Sequence, residues 1–169
     1  MWWFRSLFIA LFLTSCGFTP LYQPTNAEIS NALNSTIVQV NLSNIKSKEQ
    51  KFAHDIKTTT NKLLNDNDQF IEPEYYFNIN NISATEGAAS LERSGEITRY
   101  DLAISLEYVL IQSTTGKIIA EGQINEIAGY DTDDSIYSTH IAAQSARRNL
   151  ANQISKQIRS LLINIYNSN

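Results

Sequence analysis

The one cysteine of this 169-residue chain, Cys16, directly follows a segment with the pattern of a secretory signal. Arg5 gives the segment a basic start, Leu7 to Leu13 is a short apolar run, and small residues precede the cysteine. The apolar run is too short to span a bilayer, which needs about 20 apolar residues. We therefore predict that residues 1–15 are a signal peptide and that cleavage leaves the thiol at the new N-terminus.

The sequence Leu13-Thr14-Ser15-Cys16 resembles the bacterial lipobox. In signals of that kind the cysteine sulfur receives a diacylglyceryl group, cleavage occurs before the cysteine, and the freed amine is acylated. The resemblance therefore implies lipidation of Cys16 and a protein held at a membrane by its N-terminus. The alternative is an ordinary secretory signal beside a chance cysteine. Because no second cysteine exists, the fold depends on packing and not on a disulfide.

Few other side chains have the types and spacing that catalysis requires. His54 and His140 lack the spacing of paired ligands, the glycines form no phosphate-binding loop, and no serine stands in a nucleophile elbow. The acidic stretch from Asp131 to Asp134 lacks the glycine and the glutamate of a calcium loop. We therefore expect no enzyme, no cofactor and no metal site.

Charge narrows the set of partners. The formal net charge of the chain is −4, and only 18% of its residues are charged. A nucleic-acid-binding domain would show a basic stripe, so we expect no nucleic acid as a partner. Three basic residues, Arg93, Arg99 and Lys117, lie near the ends and turns of predicted strands and are candidates for binding an anionic ligand along the sheet. The alternative for each of them is a solvated side chain without a ligand.

The first part of the mature chain predicts a tether, a strand and a helix. Two prolines indicate that residues 16–35 have no regular structure, although their aromatic content favours contact with the domain. Alternating apolar residues predict a strand from Thr36 to Leu42. A helix is predicted from Ser47 to Leu64, with Ser47 and Gln50 as a capping box.

The second part of the chain predicts three strands and a long helix. Aromatic and β-branched residues predict a strand from Tyr75 to Ser83, with a bulge at Asn80-Asn81, and a loop from Ala84 to Gly95. The clearest alternation, from Arg99 to Leu110, predicts a half-buried strand that forms an antiparallel hairpin with the next one. The last helix begins near Asp133, Asp134 or Ser135 and carries an apolar stripe through Leu150.

The order of these elements indicates the fold class. We predict an α+β two-layer sandwich in which a four-stranded mixed sheet carries two helices packed on one face. The domain should comprise residues 36–166, and its core should include Leu106 and Leu150, which lie centrally in their apolar stripes.

Several short motifs, in order along the chain, resemble the LPS-assembly lipoprotein LptE family in its alphaproteobacterial form. The segment from 26 to 96 resembles the family only in its pattern of elements. The motifs are Cys16-Gly17-Phe18-Thr19-Pro20-Leu21-Tyr22, Thr98-Arg99-Tyr100, Thr115-Gly116-Lys117, Tyr130, Ser135-Ile136-Tyr137-Ser138, Ala146-Arg147 and Leu150-Ala151.

The resemblance implies a partner and not a reaction. Members of the family are outer-membrane lipoproteins that sit as a plug inside the LptD β-barrel, move lipopolysaccharide to the outer leaflet with it and assist its assembly. The resemblance also implies two helices on a four-stranded sheet, which agrees with the elements predicted from periodicity. The alternative function is that of an auxiliary lipoprotein in a phospholipid or ABC-type transport system.

Overall fold

The computed structural model describes residues 27–65, 72–93 and 95–168. Cys16 and the predicted signal peptide lie outside the described residues. Three helices and four strands make up the described chain, with a short 3-10 turn between the first strand and the second helix. In chain order they are α1 (Ala27–Asn34), β1 (Thr36–Val40), the 3-10 turn (Leu42–Asn44), α2 (Ser47–Leu64), β2 (Tyr75–Leu91), β3 (Ile97–Gln112), β4 (Ile118–Asp131) and α3 (Ile136–Ser168).

The strands form one mixed sheet in the order β1-β2-β3-β4. β1 pairs with β2 in parallel, and α2 is the crossover that such a connection requires. β2 and β3 form one antiparallel hairpin, in which Phe77 lies opposite Leu110. β3 and β4 form a second antiparallel hairpin, in which Leu110 lies opposite Ala120. The predicted α+β class and the mixed four-stranded sheet with helices on one face are confirmed.

The core lies between the sheet and the helices. Leu106 on β3 and Leu150 on α3 are both fully buried, as their positions in the apolar stripes predict. Alternation on β3 places Leu102 to Leu110 toward the helices at every second position, because successive strand side chains point to opposite faces. The other large buried side chains come from all layers: Val38, Ile56, Phe77, Ile79, Ile82, Ile154, Ile158 and Leu162.

α2 and α3 lie side by side and run in the same direction. The Thr60 hydroxyl donates to the Ser155 hydroxyl at 2.9 Å, and Ser155 donates to the Ala151 carbonyl at 2.7 Å. Thr60 and Ser155 are both fully buried. This buried hydrogen-bonded chain fixes the two helices in register.

The segment predicted to lack regular structure ends in a helix, so that prediction is wrong for its last residues. α1 buries Ile29 and Leu33 against the core, and the Thr36 hydroxyl donates to the Ala32 carbonyl at 2.6 Å where the helix ends. The two prolines precede Ala27 and do not interrupt the helix. The fold therefore has a third, short helix beside the two that were predicted.

α2 has the predicted bounds, but its N-terminal cap and part of its buried face differ from the prediction. No side-chain hydrogen bond caps the helix at Lys46, and Gln50 donates to the Ile45 carbonyl at 3.3 Å, so the predicted capping box is wrong. Leu63 is exposed, whereas Leu64 is buried. The stripe is completed by Ala53 and Thr60, which are small enough for the close approach of α3.

β2 is twice as long as its sequence predicts. The register shift between Ile79 and Asn81 confirms the predicted bulge. The predicted loop from Ala84 to Gly95 is wrong for most of its length, because β2 continues to Leu91. Small polar residues have weak strand preference of their own, and here the strongly patterned β3 provides the ladder against which they pair.

Candidate functional site

The two hairpin turns define the two ends of the sheet. We call the end with the β2–β3 turn, Glu92–Glu96, the distal end, and the end with the β3–β4 turn, Ser113–Lys117, the proximal end. The C-terminus of α3 lies at the proximal end, because the Tyr166 hydroxyl is 2.6 Å from the Thr36 hydroxyl at the start of β1.

The three predicted anion-binding residues do not form one site. Arg93 lies in the distal turn and Arg99 near the distal start of β3, whereas Lys117 closes the proximal turn. At about 3.3 Å per residue, β3 separates Arg99 from Lys117 by roughly 40 Å. One compact anion therefore cannot contact all three residues, and each of them stays a separate candidate.

Arg99 is held by neighbours on its own sheet face. Its Nε is 3.7 Å from Asp101 Oδ1, and its Nη1 is 3.9 Å from Asp131 Oδ1. A Cβ at position 129 would collide with the guanidinium, so Gly129 leaves the space in which this side chain lies. Arg99 thus bridges β3 and β4 and its charge is compensated internally, which favours a structural role.

Arg93 and Lys117 have no ion-pair partner within the described residues. Glu92, which precedes Arg93 in the chain, lines a distal cleft of about 490 Å³ together with three more carboxylates, Glu96, Asp133 and Asp134. Their negative potential disfavours a phosphate there.

Lys117 follows a compact turn in which Gly116 adopts a φ of 68°. The Gly116 N–H donates to the Gln112 carbonyl at 2.9 Å, and the Lys117 N–H donates to the Thr115 hydroxyl at 3.2 Å. A left-handed φ favours glycine, so the predicted hairpin turn has the residue that its backbone requires.

Four basic residues line a groove that the sequence alone did not predict. The groove has a volume of about 420 Å³ and lies between the N-terminal part of α2, α3 and β2. Four cations and two carboxylates line it. Because the Lys48 ammonium also lies 3.4 Å from the buried Glu49 carboxylate, the groove attracts anions mainly through Lys51, Arg147 and Arg148. We call it the basic groove; its lining residues are Lys48, Lys51, Phe52, Asp55, Glu86, His140, Ala143, Gln144, Arg147 and Arg148.

The basic groove depends on the register of the two helices. Lys48 and Lys51 are three residues apart on α2, and Arg147 with Arg148 lies on α3. Each pair alone looks like the solvated side of an amphipathic helix. Only the parallel alignment of α2 with α3 brings the pairs together, and nothing in the sequence gives that alignment. His140 lines the groove and hydrogen-bonds to Gln144 at 2.8 Å.

Two tyrosine side chains lie at the distal end of the sheet, on the face that carries the helices. Tyr100 and Tyr130 stack with ring centroids 5.7 Å apart. The Tyr130 hydroxyl donates to the Glu86 carboxylate across the sheet. Glu86 is therefore held at the floor of the basic groove.

At the proximal end a cleft of about 410 Å³ lies between α1, β2, β4 and the end of α3. Tyr75 and Tyr166 contact each other there with ring centroids 5.1 Å apart. Burial of the hydroxyl raises the pKa of Tyr166 to about 12, although the hydrogen bond with Thr36 lowers it. The phenol is thus neutral over the physiological range and ties α3 to β1.

The face of the sheet without helices carries neutral polar, apolar and acidic side chains, and the acidic ones are Asp101, Glu107, Glu121 and Asp131. Its hydrogen-bonding side chains include a cross-strand pair in which the Gln123 amide donates to the Ser105 hydroxyl. Ile127 is an exposed apolar residue on this face, 64% accessible. We call this surface the open face; its other polar residues include Asn78, Ser83, Thr85 and Asn125.

No group of three or more His, Cys, Asp or Glu side chains within the described residues could hold a metal ion. None of the helices in this part of the chain is long and apolar enough to cross a membrane.

The comparisons with known proteins gave matches in structure only. No protein-family model matches the chain, and no curated protein matches it in sequence. A crystal structure of a candidate lipoprotein from Caulobacter crescentus CB15 superimposes with a TM-score of 0.64 at 16% identity, over 84% of this chain and 97% of that one. The fold is shared with a bacterial lipoprotein.

Two further crystal structures have the same fold. The rare lipoprotein B from Shewanella oneidensis matches with a TM-score of 0.56 and 12% identity, over 78% of this chain and 96% of its own. A minor lipoprotein from Acinetobacter baumannii matches with a TM-score of 0.53 and 12% identity, over 77% of this chain and 91% of its own. At such identities the likeness shows the fold alone.

Proposed function

We propose that this protein is an outer-membrane lipoprotein, anchored through Cys16, that plugs the LptD β-barrel. In this role it would assist the transport of lipopolysaccharide to the outer leaflet and the assembly of the barrel. The ordered sequence motifs support the proposal, as does the fold shared with lipoproteins of three bacteria. The proposal assigns the protein no catalytic reaction and no cofactor.

The open face is the observation that carries the proposal. The lumen of an outer-membrane barrel is polar, and its wall presents hydrogen-bonding side chains. Neutral groups such as Ser105, Gln123 and Asn125 can bind such a wall without burying an unpaired charge. Arg99 is paired with Asp101 and Asp131, whereas Glu107 and Glu121 have no ion-pair partner among the described residues. The barrel wall would have to supply water or positive charge opposite these two carboxylates.

Co-purification tests the plug directly. A tagged full chain extracted from its own membranes should bring down the LptD barrel. Asn125→Asp on the open face should weaken that association because it adds a carboxylate to a face that already carries the unpaired Glu107 and Glu121. Depletion of the protein should lower the amount of assembled LptD and make the outer membrane leaky to bulky hydrophobic compounds. An unrelated outer-membrane barrel serves as the control.

A different co-purification result would reject the plug. If the tagged chain brings down a transport complex of the inner membrane, and LptD levels do not change on depletion, the protein is a transport auxiliary.

The lipid anchor has a separate test. Two or more acyl chains hold a protein at a membrane far more firmly than one, so loss of the modified cysteine should release the domain. Cys16→Ala should leave unprocessed precursor or a protein that washes off membranes. An unmodified N-terminal peptide in the wild-type protein, measured by mass spectrometry, would exclude lipidation.

Three single substitutions test which of the basic residues binds lipopolysaccharide. If Arg93 or Lys117 contacts lipid phosphates, its replacement by Ala should weaken binding in a salt-dependent way, because charge-assisted hydrogen bonds are lost. Arg99→Ala should leave binding unchanged, since its guanidinium is held by two aspartates. The reverse pattern would make Arg99 the lipid contact. Binding is measured with purified lipopolysaccharide at two salt concentrations.

A further inference from the structure

One edge of β2 has no neighbouring strand along its distal half. β1 pairs only with the residues from Tyr75 to Ile79, and the Asn41 N–H makes the last bond to the Ile79 carbonyl at 2.9 Å. The chain then enters the 3-10 turn and α2. No backbone hydrogen bond from the described part of the chain reaches β2 from this side beyond that point. We call residues 84–91 of β2 the free edge.

The hydrogen-bond pattern between β1 and β2 indicates which backbone groups of the free edge point away from β3. Near the proximal end the helix-facing residue Tyr75 directs its N–H toward β1, where it donates to the Ser35 carbonyl at 3.3 Å. Backbone groups of successive strand residues point to opposite sides, so helix-facing residues of β2 all direct their groups to the same edge. Beyond the bulge Ile82 is buried, and the helix-facing residues of the free edge itself are Ala84, Glu86 and Ala88. Their N–H and C=O groups are therefore available to another strand.

Between Ala84 and Ala88 the free edge lacks the features that prevent strand addition. Proteins protect exposed edges with lysine, proline or strong bulges. This stretch has no proline, no lysine and no register shift, and Glu86 is its only charged residue. The register shifts between Ala88 and Ser90 and between Ser90 and Leu91 limit the regular ladder to these five residues. Its residues are almost all exposed. Such an edge suits an extended segment that joins the sheet by main-chain hydrogen bonds.

The charge beside the free edge indicates the chemistry of that segment. Glu86 belongs both to the free edge and to the basic groove, where Lys48 and Lys51 of α2 stand above the sheet. Every second side chain of an added strand would point toward this groove. Because cations outnumber carboxylates there, acidic side chains at those positions would be attracted and lysines repelled.

We propose that the free edge and the basic groove together bind an extended, acidic segment of a partner protein as a fifth strand. The groove's cations are spread over two helices with Asp55 and Glu86 among them, which suits spaced carboxylates better than one compact phosphate. A second copy of this chain fits less well, because antiparallel pairing of two free edges places Lys48 and Lys51 of both copies near each other. The inference does not depend on the LptD barrel or on lipopolysaccharide.

Amide hydrogen exchange of the mature chain, followed by NMR, tests the proposal. The probe is a synthetic peptide that alternates threonine and glutamate, and its matched control alternates threonine and lysine. The glutamate peptide should slow exchange at Ala84, Glu86 and Ala88 by about tenfold, as expected for a net hydrogen bond of ordinary strength. The lysine peptide should not slow it.

Two variants separate backbone pairing from charge. Ala88→Pro removes an edge N–H that makes no bond to β3, so it should abolish the protection while the fold is kept. In the double variant Lys51→Glu/Arg147→Glu, which leaves the Lys48–Glu49 ion pair intact, the preference should reverse, and the lysine peptide should then give the protection.

Four results would overturn the proposal. They are equal protection by both peptides, no protection by either, protection of the three amides in the free chain, and protection that rises with protein concentration alone, which would assign the edge to a second copy. If inorganic phosphate or lipopolysaccharide shifts groove resonances while neither peptide protects the edge, the groove is an anion site without strand addition.

Discussion

Thr60 and Ser155 form one buried contact, but replacing Ser155 should lower the free energy of unfolding much more than replacing Thr60. Ser155→Ala leaves the Thr60 hydroxyl buried without its acceptor, and such an orphaned group costs about 1–3 kcal/mol. Thr60→Val keeps the shape of the side chain, and Ser155 still donates to the Ala151 carbonyl. The valine variant should therefore lose only about 0–1 kcal/mol.

The double variant should be more stable than the sum of the two single changes predicts. Without either hydroxyl no buried group remains unsatisfied, so we expect a coupling energy of about 1–2 kcal/mol. Urea unfolding of the mature chain, followed by circular dichroism, gives the four free energies. Ser160→Ala, at an exposed position of the same helix, is the control and should change stability by less than about 0.5 kcal/mol.

Two outcomes would refute this reasoning. If Ser155→Ala costs no more than the control, the Thr60 hydroxyl has another partner, such as a carbonyl of its own helix. If the two single effects simply add, Thr60 and Ser155 are not in contact. Either result would also remove the contact that aligns the walls of the basic groove.

Three further predictions concern the core, the proximal tyrosine and the sheet arginine. Leu106→Ala and Leu150→Ala should each cost about 2–5 kcal/mol in chemical denaturation, whereas Ile136→Ala, at a side chain 89% exposed, should cost almost nothing. The raised pKa of Tyr166, about 12, stabilises the fold below pH 10, and this contribution should be lost as pH rises through 12. After allowance for partial exposure it amounts to about 1–2 kcal/mol, and Tyr166→Phe should flatten the alkaline stability curve. Arg99→Ala should lower the unfolding free energy by at most about 1 kcal/mol, because its ion pairs are exposed, and thermal unfolding measures this.

Strongly periodic segments were predictable from the sequence. The bounds of α2 and the buried face of β3 follow from apolar spacing, which tertiary packing reinforces. α1 was not predicted because its eight residues depend on the burial of Ile29 and Leu33 against the core. The distal half of β2 was not predicted because Gly87, Ala88 and their neighbours pair only where β3 offers a ladder.

The candidate site was less predictable than the fold. Arg93, Arg99 and Lys117 were chosen for their places near turns, and the chain alone does not say which turns share an end of the sheet. The basic groove is built from two helix surfaces whose alignment rests on the buried contact of Thr60 with Ser155. A contact between distant parts of the chain leaves no pattern in a single sequence.

The shortness of β1 divides the domain into halves of unequal local stability. Near Tyr75 the sheet has four strands and is covered by all three helices, whereas around Ala88 it has three strands and fewer buried side chains. Local opening starts where apolar burial is least, so amide exchange should begin at the distal hairpin and the first turn of α3. The distal half could then rearrange to fit a partner while the proximal half stays folded. A protein built in this way combines a rigid base beside α1 with an adaptable tip.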